Sequence, residues 1–252
     1  MNTEDTSEKC KWLHEELFQL PEITFRDLEQ QNLPNNGIYF FYEKGEVWGH
    51  GGDRARIVRI GTHNDGNFRS RILYDHYDMR QRRNSITNET IAPKDRSIFR
   101  KNIGRALLRR RNDNYLDTWE CDNTSNSKRM INACRRRPEI EMLIENEISG
   151  ILERQFSFRF VELEGQSARV GKEGLESKLI GTVSNCSMCK ASRNWLGKDS
   201  PIKKIREGKL WLVQHLNSRA LNDMEKETFS NCVKATKDRL AREPSQFAAQ
   251  EK

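Results

Sequence analysis

The chain predicts an α/β (α+β) fold: a small, mainly antiparallel three-stranded sheet flanked by helices, with added helices at the N- and C-terminal ends. Three observations lead there. Two short apolar runs of strand composition, residues 38–42 and 57–61, are joined by a polar, glycine-rich connection. Phe156, Phe158 and Phe160 alternate with Ser157 and Arg159, the period of a strand with one buried face. Elsewhere apolar residues recur at helical spacing.

Taken in order, Leu13, Leu17 and Leu20 share one helical face before Pro21, which predicts an amphipathic N-terminal helix. Asn35-Asn36-Gly37 is a turn signal, and the first strand follows it. Residues 43–56, with Gly45, Gly49, Gly51 and Gly52, read as a long hairpin loop into the second strand. From Asn67, Phe68, Ile72 and Met79 fall near one helical face, and a polar stretch from Arg82 to Pro93 ends that segment. Phe99, Ile103, Ala106 and Leu107 define a further helix, with Ser97 or Asp95 as its cap. Pro138 opens the clearest helix, carrying Ile140, Leu143, Ile144, Ile148, Ile151 and Leu152. After the Phe156–Phe160 strand, Gly174 precedes a helix whose apolar arc is Leu175, Leu179, Ile180 and Val183. At about 100° per residue Glu176 falls inside that arc, while Ser177 and Lys178 point away, so a carboxylate is aimed inward. Leu221, Met224, Cys232, Val233 and Leu240 form a looser stripe on a C-terminal helix, and the tail from Glu243 is expected to be disordered. The organisation predicted is an N-terminal helical extension (1–34), a core domain with polar insertions (35–218) and a C-terminal helix and tail (219–252). There is no internal repeat.

Lys and Arg outnumber Asp and Glu by 44 to 37, a formal charge of +7 that suits a polyanionic partner. The basic residues concentrate in Arg80-Gln81-Arg82-Arg83, Arg109-Arg110-Arg111 and Arg135-Arg136-Arg137. Each cluster is as readily a solvated helix face as a phosphate contact. No apolar run approaches the ~18 residues that cross a bilayer, and the acidic N-terminus lacks a signal-peptide core, so a soluble, cytoplasmic protein is expected. Six cysteines are scattered and only Cys186 and Cys189 form a C-x-x-C pair. A disulfide framework does not suit a chain of this size in a reducing compartment. A zinc site on that pair needs two further ligands, for which folding has His63, His76 or His215 to offer; free thiols beside a turn are the simpler expectation.

Gly37-Ile38-Tyr39 on one strand and Arg59-Ile60-Gly61 on the next, followed by a helix bearing Arg71, resemble the GIY-YIG nuclease superfamily. Glu176 in Gly174-Leu175-Glu176-Ser177-Lys178 resembles its metal-binding glutamate, and Asn194 in Ser192-Arg193-Asn194-Trp195-Leu196-Gly197 its terminal asparagine. The wider run is similar to the restriction-endonuclease-like bacterial branch over roughly residues 35–218. The resemblance implies a Mg²⁺-dependent DNA endonuclease (Mn²⁺ substituting), cleaving duplex DNA at a defined sequence as a type II restriction enzyme does; cutting two strands with one site per chain favours a homodimer. It implies Tyr39, Arg71, Glu176 and Asn194 as catalytic residues and Glu176 as metal ligand; Arg59 and His76, which depart from the pattern, complete the candidate catalytic set, and His63, Arg69, Arg100, Lys101, Trp195 and Lys198 are the candidate DNA contacts.

Phosphodiester hydrolysis needs a deprotonated water in line with the leaving oxygen and neutralisation of charge on the phosphoryl oxygens. Mg²⁺ on Glu176 acts as Lewis acid, and the planar fork of Arg71 suits two phosphate oxygens. Tyr39 receives the proton of the attacking water. An unperturbed tyrosine titrates near ~10, so Arg71, Arg59 or the metal must favour its phenolate. Two departures from the pattern matter. Arg59 stands where the family has its second tyrosine. The histidine expected one helical turn after the arginine comes five residues on, at His76, with Asp75 in the expected place; five residues of regular helix rotate it about 140° away, so His76 joins the site only if the helix ends or bulges. The competing readings are a DNA-binding protein that keeps the scaffold without useful catalysis, and a redox or zinc role at Cys186 and Cys189.

Overall fold

The computed structural model describes residues 3–78, 92–121 and 125–242. Met79, the basic run at 80–83 and the tail from Glu243 lie outside them. In chain order the elements are helix α1 (Thr3–Leu17), strands β1 (Ile23–Thr24), β2 (Gly37–Val47) and β3 (Ala55–Gly61), helix α2 (Phe68–Ser70) running directly into a π-helical turn (Arg71–His76), helices α3 (Pro93–Arg96), α4 (Ile98–Arg110), α5 (Leu116–Trp119), α6 (Asn126–Asn132) and α7 (Pro138–Gln155), strand β4 (Phe156–Glu162), and helices α8 (Gln166–Arg169), α9 (Leu175–Ser184), α10 (Lys203–Gly208) and α11 (Asp223–Arg242).

The four strands form one antiparallel sheet in the order β1-β4-β2-β3. The predicted three are its body. The fourth, β1, is two residues long and pairs Ile23 with Phe158 and Thr24 with Ser157. Two residues are too few to show a period. β2 also runs on to Val47, so it takes up part of what reads as loop, with register irregularities after Phe41 and Tyr42.

Central strand β2 is buried on both faces, which is why residues 38–42 are a continuous apolar run rather than an alternating one. Tyr39 and Phe41 face a layer containing Phe68, Ile72, Phe99, Ile148, Leu152 and Phe158. Ile38, Phe40 and Tyr42 face the opposite layer, where α1 (Leu13, Leu17), α9 (Leu179, Ile180, Val183) and α11 (Phe229, Val233) pack together. Residues of the N-terminal extension and of the C-terminal helix thus share one apolar cluster with the sheet. Phe40 and Phe41 are both fully buried, and truncation of either to alanine is worth about 3–5 kcal/mol.

Some expected faces shift. Leu143 on α7 is two-thirds exposed, and Ile144, Ile148 and Leu152 carry the contact. On α9, Ser177 and Lys178 turn inward: the Ser177 hydroxyl donates to the Lys172 and Gly174 carbonyls (2.7 and 2.9 Å), and the Lys178 ammonium donates to the Lys172 carbonyl (2.5 Å). The short helix is covered on more sides than a surface helix, and its polar atoms are satisfied by the preceding turn. Met224 is exposed, and α11 buries Phe229, Val233 and Thr236.

Candidate active site

The β2–β3 pairing places Tyr39 directly opposite Gly61. A Cβ at Gly61 would lie under 3.0 Å from the ring and hydroxyl of Tyr39, so a side-chain-free residue is what lets the phenol lie across β3. At the other end of β2, a Cβ at Gly37 would meet the Val161 carbonyl oxygen at 2.6 Å. Both glycines of the two strand motifs are therefore required by close approach.

The segment after β3 decides the geometry. Instead of a regular helix, Arg71–His76 is π-helical, and the Tyr77 amide donates to the Ile72 carbonyl five residues back (3.1 Å). The wider turn brings residues five apart to the same side. His76 consequently points into the site with its Nε2 3.0 Å from the Tyr39 hydroxyl. Its Nδ1 lies 2.8 Å from the Ser97 hydroxyl, and that oxygen also caps α4 by accepting from the Arg100 amide (3.3 Å). His76 is fully buried, and burial, followed by the charges of Arg71, Arg59 and Arg100, holds it well below the ordinary histidine range. The imidazole is neutral at neutral pH.

Arg59 and Arg71 both turn toward Tyr39. Arg59 donates to the Trp211 carbonyl (2.6 Å), lies 4.9 Å over the Phe99 ring, and its buried Nε has no hydrogen-bond partner among the described residues. Burial lowers its pKa, against which Tyr39 and Glu176 favour its charged form. Arg71 donates to the Arg96 carbonyl (2.8 Å) and pairs with Asp75 (3.2 Å); burial works against its charge, but Tyr39 and Asp75 outweigh it and its pKa is raised. Asp75 thus sits beside Arg71 as its counter-ion, one regular turn on, while the π-helical turn presents His76.

Beside this cluster opens a polar cleft of about 400 Å³ lined by Thr62, His63, Asn64, Asn67, Ser70, Arg71 and Asp75. Glu176, at the start of α9, accepts a hydrogen bond from the Thr62 amide and has no ion pair among the described residues. Burial raises its pKa, opposed by Arg59, the Thr62 amide, Arg169 and Arg71. A half-buried carboxylate with no direct counter-ion among the described residues fits a hard divalent cation, which provides the missing charge. The arginines facing it equally fit phosphate oxygens brought by a substrate. Arg169, missed in the sequence, braces this corner: it is fully buried, pairs with Asp65 and donates to the Thr62 hydroxyl (2.9 Å) and the His63 carbonyl (3.0 Å). Its place in a glycine-flanked, polar stretch carries no periodic signal. Ser97 was visible only as a helix cap.

Of the sequence-derived residues, Tyr39, Arg59, Arg71, His76 and Glu176 come together. Asn194 is exposed in the turn before Trp195, with no hydrogen bond to the cluster among the described residues. His63 lines the cleft, and its Nε2 accepts from the Gly37 amide (3.2 Å), tying β2 to the end of β3. Arg69 and Lys198 are exposed. The other three named DNA contacts are occupied inside the protein. Arg100 is fully buried, bound to Glu145 (2.8 Å), the His76 carbonyl and the Ser149 hydroxyl. Lys101 donates to the Glu120 and Cys121 carbonyls. Trp195 is buried, its indole donating to Glu43 (2.9 Å). Arg109, Arg110 and Arg111 are engaged by the Ser200 carbonyl, Asp199 and Glu147 respectively.

An α/β fold thus holds a tyrosine, a neutral histidine and two arginines beside a half-buried glutamate, a set of charges that suits phosphate. Residues 10–239 match the family model described as GIY-YIG domain. The chain belongs to the GIY-YIG family, and carries a nuclease domain of the DNA-cleaving kind. Comparison with curated proteins and with solved structures found no match. Among the described residues, no helix is long and apolar enough to cross a membrane.

Proposed function

We propose that this chain is a Mg²⁺-dependent endodeoxyribonuclease that cuts duplex DNA at a defined sequence, acting as a homodimer. The observation that carries the reading is the 3.0 Å contact between the Tyr39 hydroxyl and His76 Nε2, which the π-helical turn makes possible. In this reading Ser97, whose oxygen accepts from the Arg100 amide, donates to His76 Nδ1, one of the two directions that the 2.8 Å contact allows. The imidazole proton then lies on Nε2 and faces the Tyr39 oxygen. His76, Arg59 and Arg71 together surround that oxygen with donors. Tyr39 takes the proton of the attacking water, the Arg71 guanidinium neutralises phosphoryl charge, and the substrate backbone enters the polar cleft. Bound at Glu176, Mg²⁺ would supply Lewis-acid activation of the phosphate.

Two-fold pairing follows from chemistry: one such site per chain cuts one strand. Incubation of supercoiled plasmid with the protein in Mg²⁺, in Mn²⁺ and in EDTA, with sequencing of the product ends, tests the reading. Metal-dependent linear product with uniform ends and a dimer by light scattering are expected. Salt-sensitive DNA binding that leaves plasmid, single strands and branched junctions intact in both metals would replace it with a binding function.

A further inference from the structure

On the opposite face of the sheet from Tyr39, four side chains converge that the nuclease reading does not use. Cys10 comes from α1, His50 from the tip of the β2–β3 hairpin, and Cys186 and Cys189 from the turn that follows α9. Their ligand atoms all lie within 4.8 Å of one another. The Cys10 and Cys189 sulfurs are 3.9 Å apart, and Cys186 Sγ is 3.5 Å from His50 Nε2. Bond lengths of about 2.3 Å to sulfur and about 2.0 Å to nitrogen at tetrahedral angles require separations of roughly 3.8 and 3.5 Å. A disulfide would need about 2.05 Å. The histidines offered by the sequence are elsewhere: His63 lines the cleft and His76 meets Tyr39.

We propose that Cys10, His50, Cys186 and Cys189 form a structural zinc site that fastens the N-terminal helix and the hairpin tip to the C-terminal end of α9. The surroundings are those of thiolate ligands. The Cys189 amide donates to Cys186 Sγ and the Gly49 amide to Cys189 Sγ (both 3.4 Å). Lys209, donating to the Cys186 carbonyl (2.9 Å), brings a positive charge beside the net negative charge of three thiolates, one imidazole and Zn²⁺. Gly49 is required as well, because a Cβ there would overlap the Met188 carbonyl, and only glycine lets the hairpin tip bring His50 this close. Four protein ligands leave no open position, the mark of a structural rather than catalytic zinc.

The placement explains what the metal does for the fold. α9 has Glu176 at its first turn and the zinc turn just beyond its last, about 15 Å away at 1.5 Å per residue. The zinc thus fixes the far end of the helix that carries the active-site glutamate, and the two sites are separate.

The test is elemental analysis of the purified full-length chain, with visible spectra of the same chain produced in cobalt medium. One zinc per chain is expected, together with the intense visible bands of tetrahedral cobalt-thiolate. Cys186→Ser, Cys189→Ser and Gly49→Ala are expected to lose the metal and to lower the melting temperature by roughly 10 °C. Cys121→Ser, Cys232→Ser and Glu176→Ala are expected to keep it, the last separating this site from the proposed catalytic one. The cobalt spectrum of the unmutated chain needs no variant to fold. A wild-type chain free of zinc, stoichiometric iron in its place, a Cys10–Cys189 disulfide in the peptide map, or full zinc in the cysteine variants would each overturn the assignment.

Discussion

Glu43, on β2, is buried with one carboxylate oxygen accepting from two indoles, Trp195 at 2.9 Å and Trp211 at 2.8 Å. Burial raises its pKa from 4.5 to about 7, the two indoles and Arg56 pulling down and Glu46 pushing up. A carboxyl whose folded pKa exceeds its unfolded one binds its proton more tightly when folded. Its contribution to stability is fully present below about 4.5 and is lost as pH rises through about 7. Between pH 5 and pH 8 the loss is about 2.5 kcal/mol, or roughly 5–10 °C in melting temperature for a chain of this size. Glu43→Gln keeps an oxygen for both indoles and has no charge to lose. Thermal or urea unfolding of both proteins across that range isolates the effect, because every other titrating group is common to the two and cancels. The stability of the variant relative to wild type is expected to rise by that amount toward pH 8. A difference that stays flat with pH would show that the indoles fully offset the burial of the charge, and would refute the reasoning.

Three further outcomes are expected. Gly61→Ala places a methyl against the Tyr39 ring and moves the hydroxyl off His76, and a displacement of about 1 Å lowers single-turnover cleavage about 100-fold with metal affinity unchanged; Mg²⁺ titration beside the kinetics separates the two. Arg100→Met strands Glu145 in the core and costs about 3–5 kcal/mol of unfolding free energy, measured by urea denaturation, with the salt dependence of DNA binding by the folded protein unaltered. Because His76 lies well below the ordinary histidine range, its protonation is expected to add no inflection near 6.5 to the pH–rate profile, so wild type and His76→Asn, whatever their absolute rates, should show profiles of the same shape around that value.

Elements marked by a periodic apolar face or a continuous apolar run were legible: α1, β2, β3, α4, α7, β4 and α9 all appear where their apolar residues place them. The two-residue β1 was not, since it exists only through pairing with β4. Nor was the π-helical turn. Its signature is a carbonyl–amide pairing five residues apart, and the side chains of residues 71–76 carry no mark of it; the mismatch between Arg71 and His76 was visible as a contradiction of regular helix, and the bulge resolves it. Arg100, Lys101 and Trp195 sit in polar or mixed segments where charge and aromatic content look the same for a phosphate contact and for an internal ion pair or hydrogen bond. Only the partners Glu145, Glu120 and Glu43, all distant in sequence, distinguish them. Cys10 and His50 were unreadable for the same reason: the C-x-x-C pair announces half a metal site, and the other half is assembled by packing α1 and the hairpin tip on the turn after α9.

The most direct measurement of the central claim is the single-turnover rate of DNA cleavage in saturating Mg²⁺ for the wild type, Tyr39→Phe and Glu176→Ala, each shown by thermal unfolding to be folded. Removal of the phenol oxygen at the centre of the His76, Arg59 and Arg71 donors is expected to lower the rate by about 10²–10⁴-fold. Removal of the carboxylate is expected to lower it at least as far, with loss of the metal dependence. Folded variants that both cut at the wild-type rate would contradict the account.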